Sequence, residues 1–232
     1  MHPLRDTLRN APRRLILRSA VLVLGLACGI SAAAPAPPTP AQLTTFFRAV
    51  QLDDAKTVKA MLGSVVNANQ PNPIGGEPGL VQALRADAME VVKVFLAHPG
   101  TNLEAQAANG NTALMMAAFK RNRPALEALL AKGAKVNQPG WTALHYAAAS
   151  GDDEIVRLLL ARGAKVDAVS PKASGGYTPM MIAAREGHDG TALVLIAHGA
   201  DRMRRNGEGL NAVQIAERAG KPRVAEALQG GR

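Results

Sequence analysis

The chain has one cysteine, Cys28, in 232 residues. A single thiol closes no intramolecular disulfide and builds no Cys-based metal cage, so a disulfide-stapled fold and a thiolate metal centre are both excluded. Aromatic residues are scarce as well, at 3% of the chain. Any core must therefore be made of Ala, Leu, Val, Ile and Met, side chains that suit closely stacked helices better than a sandwich or barrel. Long apolar runs are also missing. The longest, Ser19–Ala27, is well short of the roughly 20 residues that cross a bilayer core, which excludes a polytopic membrane protein. What the chain does have is an apolar fraction of 47%, that of a packed globular protein.

Positive charge is plentiful but concentrated at one end. The formal net charge is +9, yet Arg5, Arg9, Arg13, Arg14 and Arg18 all precede the apolar run, with only Asp6 against them. Without residues 1–33 the charge falls to +5. The other cations are scattered singly among acids, apart from Arg202, Arg204 and Arg205. A duplex-binding surface wants a continuous basic stripe, and the linear order shows none, so no nucleic-acid partner is expected.

Residues 1–33 have the three parts of a secretory signal peptide. A basic region ends near Arg18, the apolar stretch follows, and CGISAAA supplies small residues. Ser31 and Ala33 satisfy the small-x-small rule, and cleavage after Ala33 rather than Ala34 keeps Pro35 away from the cut. The expectation is a chain exported to the bacterial periplasm, with no transmembrane span and no cysteine after cleavage. Two variants stay open. Arg13-Arg14-Leu15-Ile16-Leu17-Arg18 resembles a twin-arginine export motif. Leu26-Ala27-Cys28 resembles the end of a lipoprotein box, although Gly25 stands where a larger aliphatic residue is expected. A Pro-rich spacer, residues 34–41, leads into the rest.

Beyond the spacer the chain repeats itself. Gly110 opens GNTALMMAAFKRNRPALEALLAKGAKVN, and Gly140 opens GWTALHYAAASGDDEIVRLLLARGAKVD, which aligns with it without a gap. Gly176 opens GYTPMMIAAREGHDGTALVLIAHGAD; Gly76 and Gly209 open weaker copies in the same frame. The starts are 34, 30, 36 and 33 residues apart, and LTTFFRAVQLDDAKTVKAML at Leu43–Leu62 completes a first helical pair. A period near 33 marks stacked supersecondary units.

These units resemble the ankyrin repeat, whose pattern G-x-T-P-L-H-x-A-A … G … L-L-L-x-x-G-A-D-V-N is nearly complete in Gly140–Asp167. The resemblance implies an all-α ankyrin-repeat solenoid of helix-turn-helix units with short hairpin-like finger loops. About six units are expected, at approximately 42–72, 73–106, 107–137, 138–170, 171–205 and 206–232, the end units serving as atypical caps. Thr112, Thr142 and Thr178 are placed to cap the first helix of their units. Ala117-Ala118, Ala147-Ala148 and Ala183-Ala184 let that helix approach its neighbours. Leu129-Leu130, Leu158–Leu160 and Val194–Ile196 are expected to form the buried side of the second helix, which Gly133, Gly163 and Gly199 stop. Pro78-Gly79-Leu80-Val81 replaces T-P-L-H in the second unit, so the start of its helix is undefined.

The residues suggest no enzyme, cofactor or metal site. His145 holds the family's T-P-L-H position, where the ring ties its own turn to the neighbouring unit. His188 lies in an inter-helix turn, and His98 and His198 are the same register position three units apart, so they do not converge as metal ligands must. Asp152-Asp153-Glu154 begins a helix and complements its dipole. No nucleophile elbow, P-loop or dinucleotide glycine pattern occurs.

The expected activity is binding of a protein partner, by a monomer, on the concave face that the family uses. The finger positions after the opening glycine are Glu77, Asn111, Trp141, Tyr177 and Leu210. After the Ala pair come Phe119-Lys120, Ala149-Ser150, Arg185-Glu186 and, in the last unit, Arg218. The candidate contact set is Glu77, Asn111, Phe119, Lys120, Trp141, Tyr177, Arg185, Glu186 and Arg218, because exposed aromatics beside arginine compose a hot spot. The alternative for Trp141 is that it folds back over Gln138 and Pro139. The insertion Val169–Gly175 lengthens one finger beside it.

Overall fold

The computed structural model describes residues 36–230. The secretory segment and both of its export variants lie outside these residues. Twelve α-helices follow in six pairs among the described residues, with one 3-10 turn, Lys172–Ser174, in the finger before the ninth helix. The first helices are α1 (Pro40–Gln51), α3 (Gly79–Arg85), α5 (Ala113–Phe119), α7 (Ala143–Ser150), α9 (Pro179–Glu186) and α11 (Ala212–Arg218). Each is followed by its partner: α2 (Ala55–Met61), α4 (Met89–Ala97), α6 (Arg123–Ala131), α8 (Asp153–Ala161), α10 (Asp189–Ala197) and α12 (Pro222–Gly230). The described residues contain no strand, only two isolated bridges. Finger loops are closed by single backbone bonds such as Ala107 N–H to Asn111 O and Ser170 N–H to Tyr177 O, both 2.9 Å.

Local chemistry sets the helix starts. The hydroxyls of Thr112 and Thr178 accept the N–H of Met115 and Met181, satisfying orphan donors of the first turn. At Thr142 the device differs, because its backbone N–H donates to Nδ1 of His145 at 3.2 Å. The second unit has Pro78 at the N-cap and no side-chain cap, so α3 begins at Gly79 on the strength of packing alone. Gly79 is required there, since a Cβ would sit 2.5 Å from the Phe95 ring.

Helices α3, α5, α7, α9 and α11 stack one on the next. Their paired alanines make that possible: Ala117, Ala118, Ala147, Ala148, Ala183 and Ala184 are all fully buried. Of the leucine runs expected to be buried, only one flank meets the stack. Leu129, Leu159, Val194 and Leu195 are buried, whereas Leu130, Leu158, Leu160 and Ile196 are half-buried. At 3.6 residues per turn, three consecutive residues do not all fit the buried stripe, and the flanking side chains cover its border.

Successive units are also joined by a polar ladder along the loops after the second helices. The side chain of Asn69 accepts from Asn102 N–H, Glu104 from Lys135 N–H, Asn137 from Lys165 N–H, and Asp167 from Asp201 N–H, at 2.7 to 3.1 Å. Asn69 and Asn137 also donate, to the carbonyls of Gly100 and Gly163. Each unit thus satisfies backbone groups of the next, the nearest-neighbour coupling on which a solenoid depends.

Candidate functional site

The site starts from one tripeptide, Gly140-Trp141-Thr142. Gly140 holds φ at +82°, and a Cβ there would come within 3.2 Å of Pro171 in the following finger. Trp141 next turns its ring back toward α7, half-buried, edge-on to His145 at 5.2 Å and to Tyr146 at 6.3 Å between centroids. Tyr146 in turn meets Phe119 of the preceding unit edge-on at 6.1 Å. Edge-to-face pairs at these distances are favourable beyond their buried area. Phe119 remains 50% exposed.

These rings wall a groove of about 150 Å³ between α5, α7 and α9. Phe119, Trp141, His145, Tyr146, Ala149, Ile182 and Arg185 line it. Arg185 is its only formal charge. Its guanidinium lies 5.2 Å from the centroid of Tyr177 and bonds Glu186 at 2.9 Å. The groove is therefore apolar, with a cation at one lip, able to take a side chain and hold an acceptor beside it.

Below the groove, His145 locks two units together. It is buried, with Nδ1 accepting from Thr142, so Nε2 carries the proton and donates to the Tyr177 carbonyl at 3.0 Å. Burial drives its pKa down to about 4, against the bonds to the Tyr177 and Ala168 backbone that favour the charged form. The ring is neutral near pH 7 and ties its unit to the neighbour, as its register implies.

Three finger residues expected at the surface are buried instead. Glu77 pairs with Arg85 of α3; desolvation raises its pKa and the guanidinium opposes that rise. Asn111 is buried because its Oδ1 accepts the Tyr146 hydroxyl. Tyr177 lies under Arg185 with its hydroxyl 3.5 Å from Glu208, a carboxylate that also pairs with Arg218. In each case a neighbouring side chain closes over the finger. Lys120 is ion-paired to Asp87 at 2.7 Å, and Arg218 stays exposed one unit beyond the groove. The structure thus brings Phe119, Trp141 and Arg185 together with Glu186 at the rim. It sets Glu77, Asn111, Lys120 and Arg218 apart as supports or outliers.

Tyr146 is the residue that sequence reasoning missed. It fills the variable position between His145 and the Ala pair, and the same position carries Met116 and Ile182 in the flanking units. Three large apolar residues in succession at a position the family leaves variable were the available signal. Burial raises the Tyr146 pKa, with the bond to Asn111 opposing. A larger recess of about 400 Å³ lies between α2 and α4, walled chiefly by Ala55, Leu62, Val94, Ala97 and Pro99. Lys59, Glu90, Lys93 and His98 complete its lining, and it belongs to the first two units, whereas this constellation is drawn from the third to the fifth.

The family model described as ankyrin repeats (3 copies) matches residues 46–139, 80–170 and 137–206. The chain belongs to the ankyrin-repeat family. Among its relatives, it is 33% identical over 162 residues to human SH3 and multiple ankyrin repeat domains protein 2, covering 68% of this chain and 9% of that protein. It is 36% identical over 114 residues to human transient receptor potential cation channel subfamily A member 1, covering 48% and 10%. With palmitoyltransferase Hip14 of Drosophila melanogaster it shares 41% over 90 residues, covering 38% and 14%. The chain thus spans 14% or less of the length of each of these relatives.

Proposed function

We propose that this ankyrin array is a non-enzymatic scaffold that binds a protein partner in the Phe119–Trp141–Tyr146–Ile182–Arg185 groove, in a protective, inhibitory or assembly role. The observation that carries the reading is the convergence of three rings and one guanidinium, drawn from three consecutive units, on one partly open groove. Aromatic and arginine side chains around a desolvated pocket are the usual composition of a binding hot spot. Solenoids present their extended binding surfaces along the concave side.

The place of action is proposed from residues 1–33, whose basic, apolar and small-residue parts support export to the periplasm. Cys28 supports a second version, an envelope-anchored lipoprotein with a tethering role. Fatty-acid labelling that disappears in Cys28→Ala identifies the lipoprotein; labelling of neither chain leaves the soluble form.

Binding is tested by capture of partners from periplasmic extract with the native chain, Phe119→Ser, Arg185→Ser and Lys56→Ser, an exposed α2 position outside the groove. The expected result is one partner retained by the native chain and Lys56→Ser and lost by the two groove variants, all four melting alike. Equal capture by all four would remove the groove from the function.

A further inference from the structure

The cations that look scattered in the sequence are sorted by the fold. Residues 135–137, 163–167 and 201 are joined from unit to unit by the polar ladder, so the loops they belong to form one continuous edge. Along that edge the carboxylates are engaged by backbone N–H groups, Glu104 and Asp167 half-buried and Asp201 exposed. Glu104 and Asp167 accept the backbone N–H of Lys135 and Asp201, and Asp201 accepts that of Met203. The cations stay outside. Lys132, Lys135, Arg162, Lys165 and Arg204 are exposed, and no ion pair among the described residues engages any of them.

Helix-dipole complementation accounts for only part of this row. Lys132 and Arg162 are the C-cap residues of α6 and α8, where a cation stabilises the helix end. Lys135, Lys165 and Arg204 lie past the helix ends, where that field has faded. The first two units carry no Lys or Arg on the same edge, from Leu62 to Gln70 and from His98 to Glu104. At the other end of the row Met203 is 68% exposed, inside the run Arg202–Arg205. An apolar side chain among arginines gains by entering a lipid headgroup layer and adds nothing to contact with a phosphodiester backbone.

We propose that this edge binds the surface of an anionic bilayer, with the five cations against the headgroups and Met203 within them. The partner-binding groove lies between α5, α7 and α9 and shares no residue with this edge, so either can fail without the other. Flotation tests it, using the chain as recovered from expressing cells with phosphatidylcholine vesicles and with vesicles containing 30% phosphatidylglycerol. The variants are Lys135→Gln/Arg162→Gln/Lys165→Gln/Arg204→Gln, Met203→Ser, and a control of equal charge, Lys56→Gln/Lys59→Gln/Lys93→Gln/Arg223→Gln. Thermal melts confirm that each folds.

The expected result is binding to the anionic vesicles only, weakened by salt, and lowered about several hundredfold in the edge variant, because it removes four cations that each contribute about fivefold near such a surface. Met203→Ser lowers it about threefold, and the control binds as the native chain does. Equal loss in the control assigns the effect to net charge and overturns the proposal. So does indifference to phosphatidylglycerol, or tighter binding to duplex DNA that the edge variant abolishes.

Discussion

The turn between the two helices of a unit is built in two ways, and the change falls at the middle of the array. In units one to three the left-handed position is held by Asp53, Asp87 and Arg121, with φ near +55°. In units four to six it is held by Gly151, Gly187 and Gly220. A non-glycine residue there costs roughly 1 kcal/mol, so the first three side chains need a compensating contact. Each has one with the next unit. Asp53 accepts from Val91 N–H at 2.9 Å and so caps α4; Asp87 pairs with Lys120; Arg121 lies 3.4 Å from Asp152.

Glycine reverses the direction of the contact. His188 of the fifth unit folds over Gly151, where a Cβ would lie 2.5 Å from the ring, and its Nε2 reaches the Ala149 carbonyl at 3.1 Å. Lys221 of the sixth unit lies over Gly187 in the same manner. The first three turns therefore reach forward to their neighbours, while the fourth and fifth are reached back to. One backbone conformation serves both because the interface needs only one of the two sides to supply the side chain.

The sharpest break is Gly151→Ala. It adds left-handed strain and overpacks against His188, and should lower unfolding free energy by about 3 kcal/mol in urea titration. Gly220→Ala meets no neighbouring atom within 4 Å and should lose only the conformational part, about 1 kcal/mol. Equal losses would mean that the His188 contact contributes nothing.

Next in size is the tie between units four and five. His145 is neutral when folded, with its pKa lowered from 6.5 to about 4, so between these values the unfolded chain binds more protons. Its contribution is complete above pH 6.5 and is lost as the pH falls toward 4, about 2 kcal/mol of it by pH 5. Urea midpoints at pH 7.5 and 5 should show that loss in the native chain and much less of it in His145→Gln.

The smallest effects separate Arg121 from Asp53. Arg121→Gly relieves strain and gives up only an exposed ion pair, so stability should rise by about 0.5 kcal/mol. Asp53→Gly relieves the same strain but uncaps α4, and the two terms should nearly cancel. A clear gain for Asp53→Gly would show that the cap is unimportant.

What could be read in the sequence was whatever a unit decides by itself. Thr112 and Thr178 announce helix starts and Gly133 and Gly163 announce stops through contacts within about ten residues, and the Ala pairs announce close stacking because small size alone permits it. What could not be read depends on the neighbouring unit. The burial of Asn111 needs Tyr146, which is 35 residues away. The burial of Tyr177 needs Arg185 above it and Glu208, 31 residues on, beside its hydroxyl. The sorting of charge along the loop edge was equally hidden, because whether Glu104 or Lys135 faces water depends on a bond across 31 residues.

The central claim is that the groove around Trp141 is where a protein docks. Its most direct test is site-specific photo-cross-linking in cells, with a benzophenone amino acid placed at Phe119 in the groove and, separately, at Lys56, an exposed residue of α2 outside it. The account predicts one discrete adduct from position 119 that disappears in Arg185→Ser, and none from position 56. An adduct from position 56 alone, or one from 119 that ignores Arg185→Ser, would contradict it.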